Sequence, residues 1–255
     1  MGCLAVTRLS LIEILRRKEF YVVLVLVLVL GIWMTSMELG GNGAGRFAKD
    51  IVMQVIWLAS FGLAAPLAAR QIASDLEHKS IYVIMSRRIN RWEYVLGRTA
   101  GAAVSAVVCF ASMFAVLLAV VSFKGASQVT DPSLWQAFAL QVTALVMLSA
   151  VAVFFSTFST PSGAVTFSII VLVVMRYGGS AILHKIEGLS GVGRGIAYSS
   201  YLVLPHFEFF NMSQRVVHGW GALPALAFSG IVAYGIVYAL AAAMLGAMVF
   251  KKRRL

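Results

Sequence analysis

What most constrains this chain is a succession of long apolar runs: Phe20 to Met37, Ile51 to Ala69, Thr99 to Phe123, Leu134 to Phe158, Gly163 to Leu183 and Ala222 to Phe250. Each approaches or exceeds the roughly 20 residues with which an α-helix crosses the hydrocarbon core of a bilayer. Inside lipid every backbone amide and carbonyl must be satisfied within the segment, which favours helix for runs of this length. The expected fold is therefore all-α, one polytopic transmembrane domain over residues 1–255 with spans at 20–37, 51–69, 99–123, 134–158, 163–183 and 222–250. A composition of 60% hydrophobic and 12% charged residues lies far outside the soluble range. The first run is too long for the core of a signal peptide and is followed by no small-residue cleavage site.

A formal charge of +11 could point to nucleic acid, but the Lys and Arg residues cluster at the edges of the apolar runs rather than along one polar face. No nucleic-acid partner is expected; anionic membrane lipids account for the same charge. Residues 4–19 place Leu4, Leu11, Ile12 and Leu15 near one side and Arg8, Arg16 and Arg17 elsewhere. This suits either a helix lying in the headgroup layer or an extension of the first span. With six spans both termini share a side. Placing them in the cytoplasm puts fourteen basic residues there and six on the other side, the asymmetry that retained basic loops impose. The chain then reads as a multi-pass cell-membrane protein with both termini cytoplasmic.

The charged stretch Arg70 to Arg98 separates the second and third runs and carries six of the twenty-one basic residues. Ser74-Asp75-Leu76-Glu77 has the form of a capping box, which predicts a short helix from about Asp75 to Met85. Asn90-Arg91-Trp92-Glu93 repeats the pattern and predicts a second helix running into the third span, with Ile89 stapled onto Tyr94 and Ser86-Arg87-Arg88 at the corner.

The remaining connections carry less. Gly40 to Arg46 is rich in glycine but lacks the Lys-Ser or Lys-Thr ending of a phosphate loop and reads as a turn. Thr160 is placed to cap a helix whose first residue is Pro161, where the missing amide costs nothing. Residues 184–220 form the longest connection, on the outer side, with a short apolar stretch at Gly195 to Leu204 of re-entrant or interfacial length. Cys3 and Cys109 are too few for a disulfide framework or a zinc site. His184, His206 and His218 share the outer connection, but single histidines at a membrane surface are more often solvated or capping groups, and no metal is expected. No Walker lysine loop or His-Glu-x-x-His motif occurs, so catalysis by this chain is not expected. Arg176 is the one ionisable residue well inside a run. It lies about two turns from the outer end, within reach of the headgroups by snorkelling, or else it faces a cavity or a partner helix. Gln54, Gln141 and Thr143 could line a polar seam, Gln54 and Gln141 with Arg176 as a candidate translocation path, or simply join helices.

Several of these motifs together resemble the permease subunits of ABC type-two transporters, the six-span kind encoded apart from their ATPase. The matching residues are Asp75 to Ile81, then Met85-Ser86-Arg87-Arg88-Ile89-Asn90-Arg91 and Leu96-Gly97-Arg98, then Leu204-Pro205 with Phe209 to Asn211, and the ending Phe250 to Leu255. Arg88 stands where that family usually has proline, and Arg98 where it usually has lysine. The resemblance implies an ATP-driven transporter, an exporter of a bacterial inner membrane, in which two permease chains, identical or paralogous, pair around a path. It implies that Asp75, Leu76, Glu77, His78, Lys79, Ser80, Arg87, Arg88 and Arg91 form the coupling element seated on a cytoplasmic ATPase subunit, with Thr160 and Pro161 as a second contact. ATP and magnesium would then reside on the ATPase, and this chain would bind no cofactor. The main alternative is a membrane anchor or assembly factor that binds a partner through the same loop and moves nothing; a membrane-embedded enzyme is weaker, for want of paired catalytic groups in the spans.

Overall fold

The computed structural model describes residues 18–37, 42–77, 90–122, 131–188 and 192–252, with Thr7 and Ile81. Among the described residues the chain is helical and contains no strand. The helices are α1 (Lys18–Met37), α2 (Asn42–Glu77), α3 (Arg91–Ser122), α4 (Pro132–Ser156), α5 (Pro161–Tyr177), α6 (Gly179–Glu187), α7 (Val192–Val203), a 3-10 turn (Phe207–Phe210), α8 (Ser213–His218) and α9 (Ala225–Lys252). Among the described residues four stretches are long and apolar enough to cross a membrane: Asp50–Glu77 of α2, Arg91–Ala119 of α3, α4 and Ala225–Lys252 of α9. α5 is apolar but shorter, at 17 residues.

α4 is the axis of the bundle. Its buried residues, Leu140, Ala144, Leu145, Met147, Leu148, Ala150 and Val151 among them, fall on every side, as expected of a helix apolar all round. α2, α3, α5 and α9 pack around it. Asp131 starts it by accepting from the Ser133 amide at 3.1 Å, and Pro132 takes the first turn. α9 has the opposite design: it buries small residues, Ala239, Ala242, Ala243 and Gly246, and turns Leu226, Val237, Leu240 and Met248 outward. Small residues let helix backbones approach, while an outward face of Leu, Val and Met suits a lipid surround. At Gly235 a Cβ would stand 2.5 Å from Thr143 Cγ2 and 2.9 Å from Phe210 Cζ, so α9 meets α4 and the 3-10 turn where no side chain fits.

Two expectations about helix ends are met. The Asn90 amide donates to the Glu93 carboxylate at 3.3 Å where α3 begins, half of the reciprocal capping arrangement. Thr160 Oγ1 accepts from the Gly163 amide at 3.3 Å, and Pro161 opens α5.

Three others are corrected. Ser74 does not start a helix, because α2 runs unbroken from Asn42 to Glu77. Ala68, Ala69, Ile72 and Ala73 are all buried and carry the core-facing stripe past the end of the apolar run; extending an existing helix there is easier than nucleating a new one. The glycine-bearing stretch from Asn42 to Arg46 is likewise helical rather than a turn, as part of α2. The fifth run, expected over 163–183, is divided at Gly178: α5 ends at Tyr177 and α6 starts at Gly179. At Gly179 a Cβ would lie 2.7 Å from Glu208 Oε2, so the carboxylate of the 3-10 turn sits hard against the start of α6. The stretch Gly195 to Leu204 is largely α7, a helix with Ile196, Leu202 and Val203 exposed. The expected helix at 4–19 lies outside the described residues apart from Thr7 and the first residues of α1. So do the Ser86-Arg87-Arg88 corner, Ile89 and the chain's end after Lys252.

Candidate functional site

Among the described residues two arginines are buried, at opposite ends of the bundle and in contrasting surroundings. The first stands where α2 ends and α3 begins. Tyr94 and Arg98, four residues apart, share one face of α3. Arg98 Nη2 donates to Asp75 Oδ2 at 2.5 Å, and the Tyr94 hydroxyl donates to the same oxygen. The Arg98 and Asp75 side chains are 3% and 14% exposed. Phe250 of α9 packs its ring 5.8 Å from that of Tyr94. Arg91 Nη1 donates to the Lys251 carbonyl at 3.2 Å, and Ser156 Oγ of α4 accepts from the Ala73 amide at 2.9 Å. Four helix ends are thereby tied into one block.

This arrangement redistributes the residues singled out from sequence. Asp75 points into the block, Leu76 is partly buried against its apolar part, and Glu77 is exposed. Arg91 lies at the surface of the block, and Thr160 is exposed at the start of α5. His78, Lys79, Ser80, Arg87 and Arg88 lie outside the described residues.

The second arginine is Arg176, in the last turn of α5. It is 9% exposed, so it does not reach out to headgroups in the way that snorkelling requires. Its guanidinium carbon lies 5.3 Å from the Phe61 ring centre, 5.9 Å from Tyr177 and 6.0 Å from Trp57. Aromatic faces attract a cation at such distances. Phe207 of the 3-10 turn meets Phe61 edge-on, with ring centres 6.2 Å apart. Arg176 Nη1 has no hydrogen-bond partner, and neither does the Trp57 indole nitrogen; both are buried. No carboxylate of the described residues comes within ion-pair distance of Arg176. On the same stretch of α2, Ser60 Oγ accepts from Gln141 Nε2 at 2.8 Å and donates to the Trp57 carbonyl at 2.8 Å, leaving Gln141 Oε1 unpaired. Gln54 instead donates to Ser213 Oγ at 3.1 Å and joins α2 to α8.

Beside this nest the connection from α7 to α8 is fastened by His206. Its backbone amide donates to the Tyr234 hydroxyl at 3.1 Å, and that hydroxyl lies 3.2 Å from Nδ1. Burial lowers the His206 pKa from its usual value, against the opposing pull of Glu208 and the Leu204 carbonyl. Tyr201, which donates to Glu208 Oε1 at 3.3 Å, is raised by burial and then by that carboxylate. His184, His206 and His218 belong to no cluster of metal-ligating side chains among the described residues.

Sequence reasoning found Asp75 and Arg176 but missed their neighbours. Tyr94 and Arg98 could have been noticed as a polar pair at helical spacing. Trp57 and Phe61, also four apart, carried no signal distinguishing them from ordinary core.

A comparison with curated proteins finds no match to this sequence. The profile of one family, described as a protein of unknown function (DUF2705), matches residues 31–255 and so takes in both arginine sites. The chain belongs to the DUF2705 family.

Proposed function

We propose that this chain is the membrane-spanning permease subunit of an ATP-driven ABC type-two transporter, working as an exporter. In this reading α1 and α5 join the four long apolar helices to make six spans, and both termini and the loop between α2 and α3 face the cytoplasm. Two such chains, or this one and a paralogue, pair around the path. A separate ATPase subunit, carrying ATP and magnesium, docks on the α2–α3 loop, with the α4–α5 turn at Thr160 and Pro161 as a lesser contact.

The observation that supports it best is the Asp75–Arg98–Tyr94 block. A transporter driven from outside the membrane needs a loop whose displacement becomes a rigid movement of whole helices. Here the two helices that flank the loop are joined by a buried ion pair at its base, so a force on the loop moves both. The resemblance assigns docking to the loop, and in this reading the labour is divided. Asp75 serves the internal tie, while the exposed Glu77 is left for the partner.

Affinity purification of the tagged chain from native membranes in mild detergent tests the reading. The expected result is a stoichiometric soluble ATPase whose coupling to transport fails in Glu77→Lys. Recovery of the chain alone, or with a partner that binds no nucleotide, would replace it with the anchor or assembly role.

A further inference from the structure

We propose that Arg176 and Trp57 bind the oxyanion, carboxylate or phosphate, of an amphipathic ligand inside the helical bundle. As a statement about the transported substrate this rests on the permease reading; as a statement about binding it stands on the geometry alone.

The argument starts from what a buried guanidinium requires. Aromatic rings stabilise it through their faces, but they offer no lone pair to the N–H groups at its edge. Arg176 has Phe61, Trp57 and Tyr177 around it and an unpaired buried Nη1. A buried charge without an ion-pair partner is costly, and residues in that position typically serve a path or a ligand. The second unpaired group beside it, Trp57 Nε1, is also a donor, and indole can only donate. The two unpaired groups around the guanidinium are thus both donors, the complement of an ionised oxyanion; the unpaired acceptor on this stretch, Gln141 Oε1, belongs to the side chain that Ser60 holds. An amine or a second cation would add donors to donors. Glu208, the acidic residue of the adjoining turn, accepts from Tyr201 through Oε1 and packs Oε2 against the start of α6, outside ion-pair distance of Arg176. The residues around the guanidinium, Trp57, Phe61 and Phe207, are aromatic and buried in the core, an apolar surround for the body behind the charged group.

The test is a titration of the purified full-length chain in non-ionic detergent with dodecyl phosphate, following tryptophan emission, with dodecyltrimethylammonium as the cationic control. A saturable change with the phosphate alone is expected, absent in Trp57→Phe and shifted roughly ten- to hundredfold toward weaker binding in Arg176→Gln. Bound dodecyl phosphate should also raise the Tm of the wild-type chain and leave that of Arg176→Gln unchanged. Competition by inorganic phosphate would identify a soluble anion as the natural occupant. Competition only by phosphatidylglycerol would identify a lipid headgroup, and either result supports the site. An equal response to the cation, or an unshifted titration in Arg176→Gln, overturns it. Should Arg176→Gln fail to fold, Arg176→Lys and Trp57→Phe decide, and unchanged affinity in both, read from the Tm shift, overturns the proposal. Absence of a co-purifying ATPase would leave this titration untouched, and a failed titration would leave the ATPase result standing.

Discussion

Arg98 and Arg176 are the same side chain in two different situations. Arg98 is nearly inaccessible and has a carboxylate at 2.5 Å with a tyrosine hydroxyl on the same oxygen. Arg176 is almost as deeply buried and is surrounded by rings, with one of its edges unpaired. The lesson is that burial alone does not reveal what a charge is for. A buried cation joined to a carboxylate, as Arg98 is, acts as a structural fastening even though its Nε makes no hydrogen bond among the described residues, and a buried cation with rings alone around it is organised around something else.

Breaking the first arginine's pair gives the largest expected effect. Asp75→Ala leaves the Arg98 charge buried and uncompensated, and should cost about 3–5 kcal/mol in reversible unfolding in mixed micelles. Removing both charges, Asp75→Ala with Arg98→Met, should recover most of that loss, because the uncompensated charge is then gone. If the double variant is no better than the single one, the pair is not the fastening described. Arg176 sharpens the contrast from the other side. Arg176→Met removes a charge that has no ion-pair partner among the described residues to abandon, and should change stability by no more than about 1 kcal/mol, lost cation–π attraction offsetting relieved desolvation. A loss as large as that of Asp75→Ala would remove the distinction between the two sites.

The smallest effect is the pH dependence beside the nest. His206 has a lowered pKa when folded, so the unfolded chain takes up its proton first as pH falls. The stabilising contribution of the neutral ring is present above the ordinary histidine value of about 6.5 and is lost as pH drops below it. The Tm should therefore decline between pH 7 and 5, and His206→Gln should flatten the decline. An unchanged slope in the variant would place the responsible group elsewhere.

Much of the architecture was legible because it is one-dimensional. The lengths of the apolar runs, the Thr160-Pro161 start and the Asn90 to Glu93 cap can be read without knowing what packs on what. What was not legible depends on the third dimension. Ser74 carries the local signature of a helix start, yet the buried stripe through Ala69, Ile72 and Ala73 overrides it and α2 continues. The capping pattern and the resemblance place Asp75 in a loop helix that meets the ATPase, but its carboxylate pairs with Arg98, well along the chain on another helix. Distance from the end of a run suggested that Arg176 could snorkel. Whether it does depends on the direction it faces, and Trp57 and Phe61 of α2 lie on that side.

Pro66 lies inside α2, between these two sites. Proline removes one intrahelical hydrogen bond and weakens the helix against bending at that level. Trp57 and Asp75 are about 27 Å apart along the axis at the standard rise, so α2 is a lever with a pliable point near its middle. One arm ends in the aromatic nest and the other in the fastened block. Tilting the lower arm need not shear the upper one, and an occupant at Arg176 that stiffens or straightens the helix would be felt at Asp75 as a change of angle.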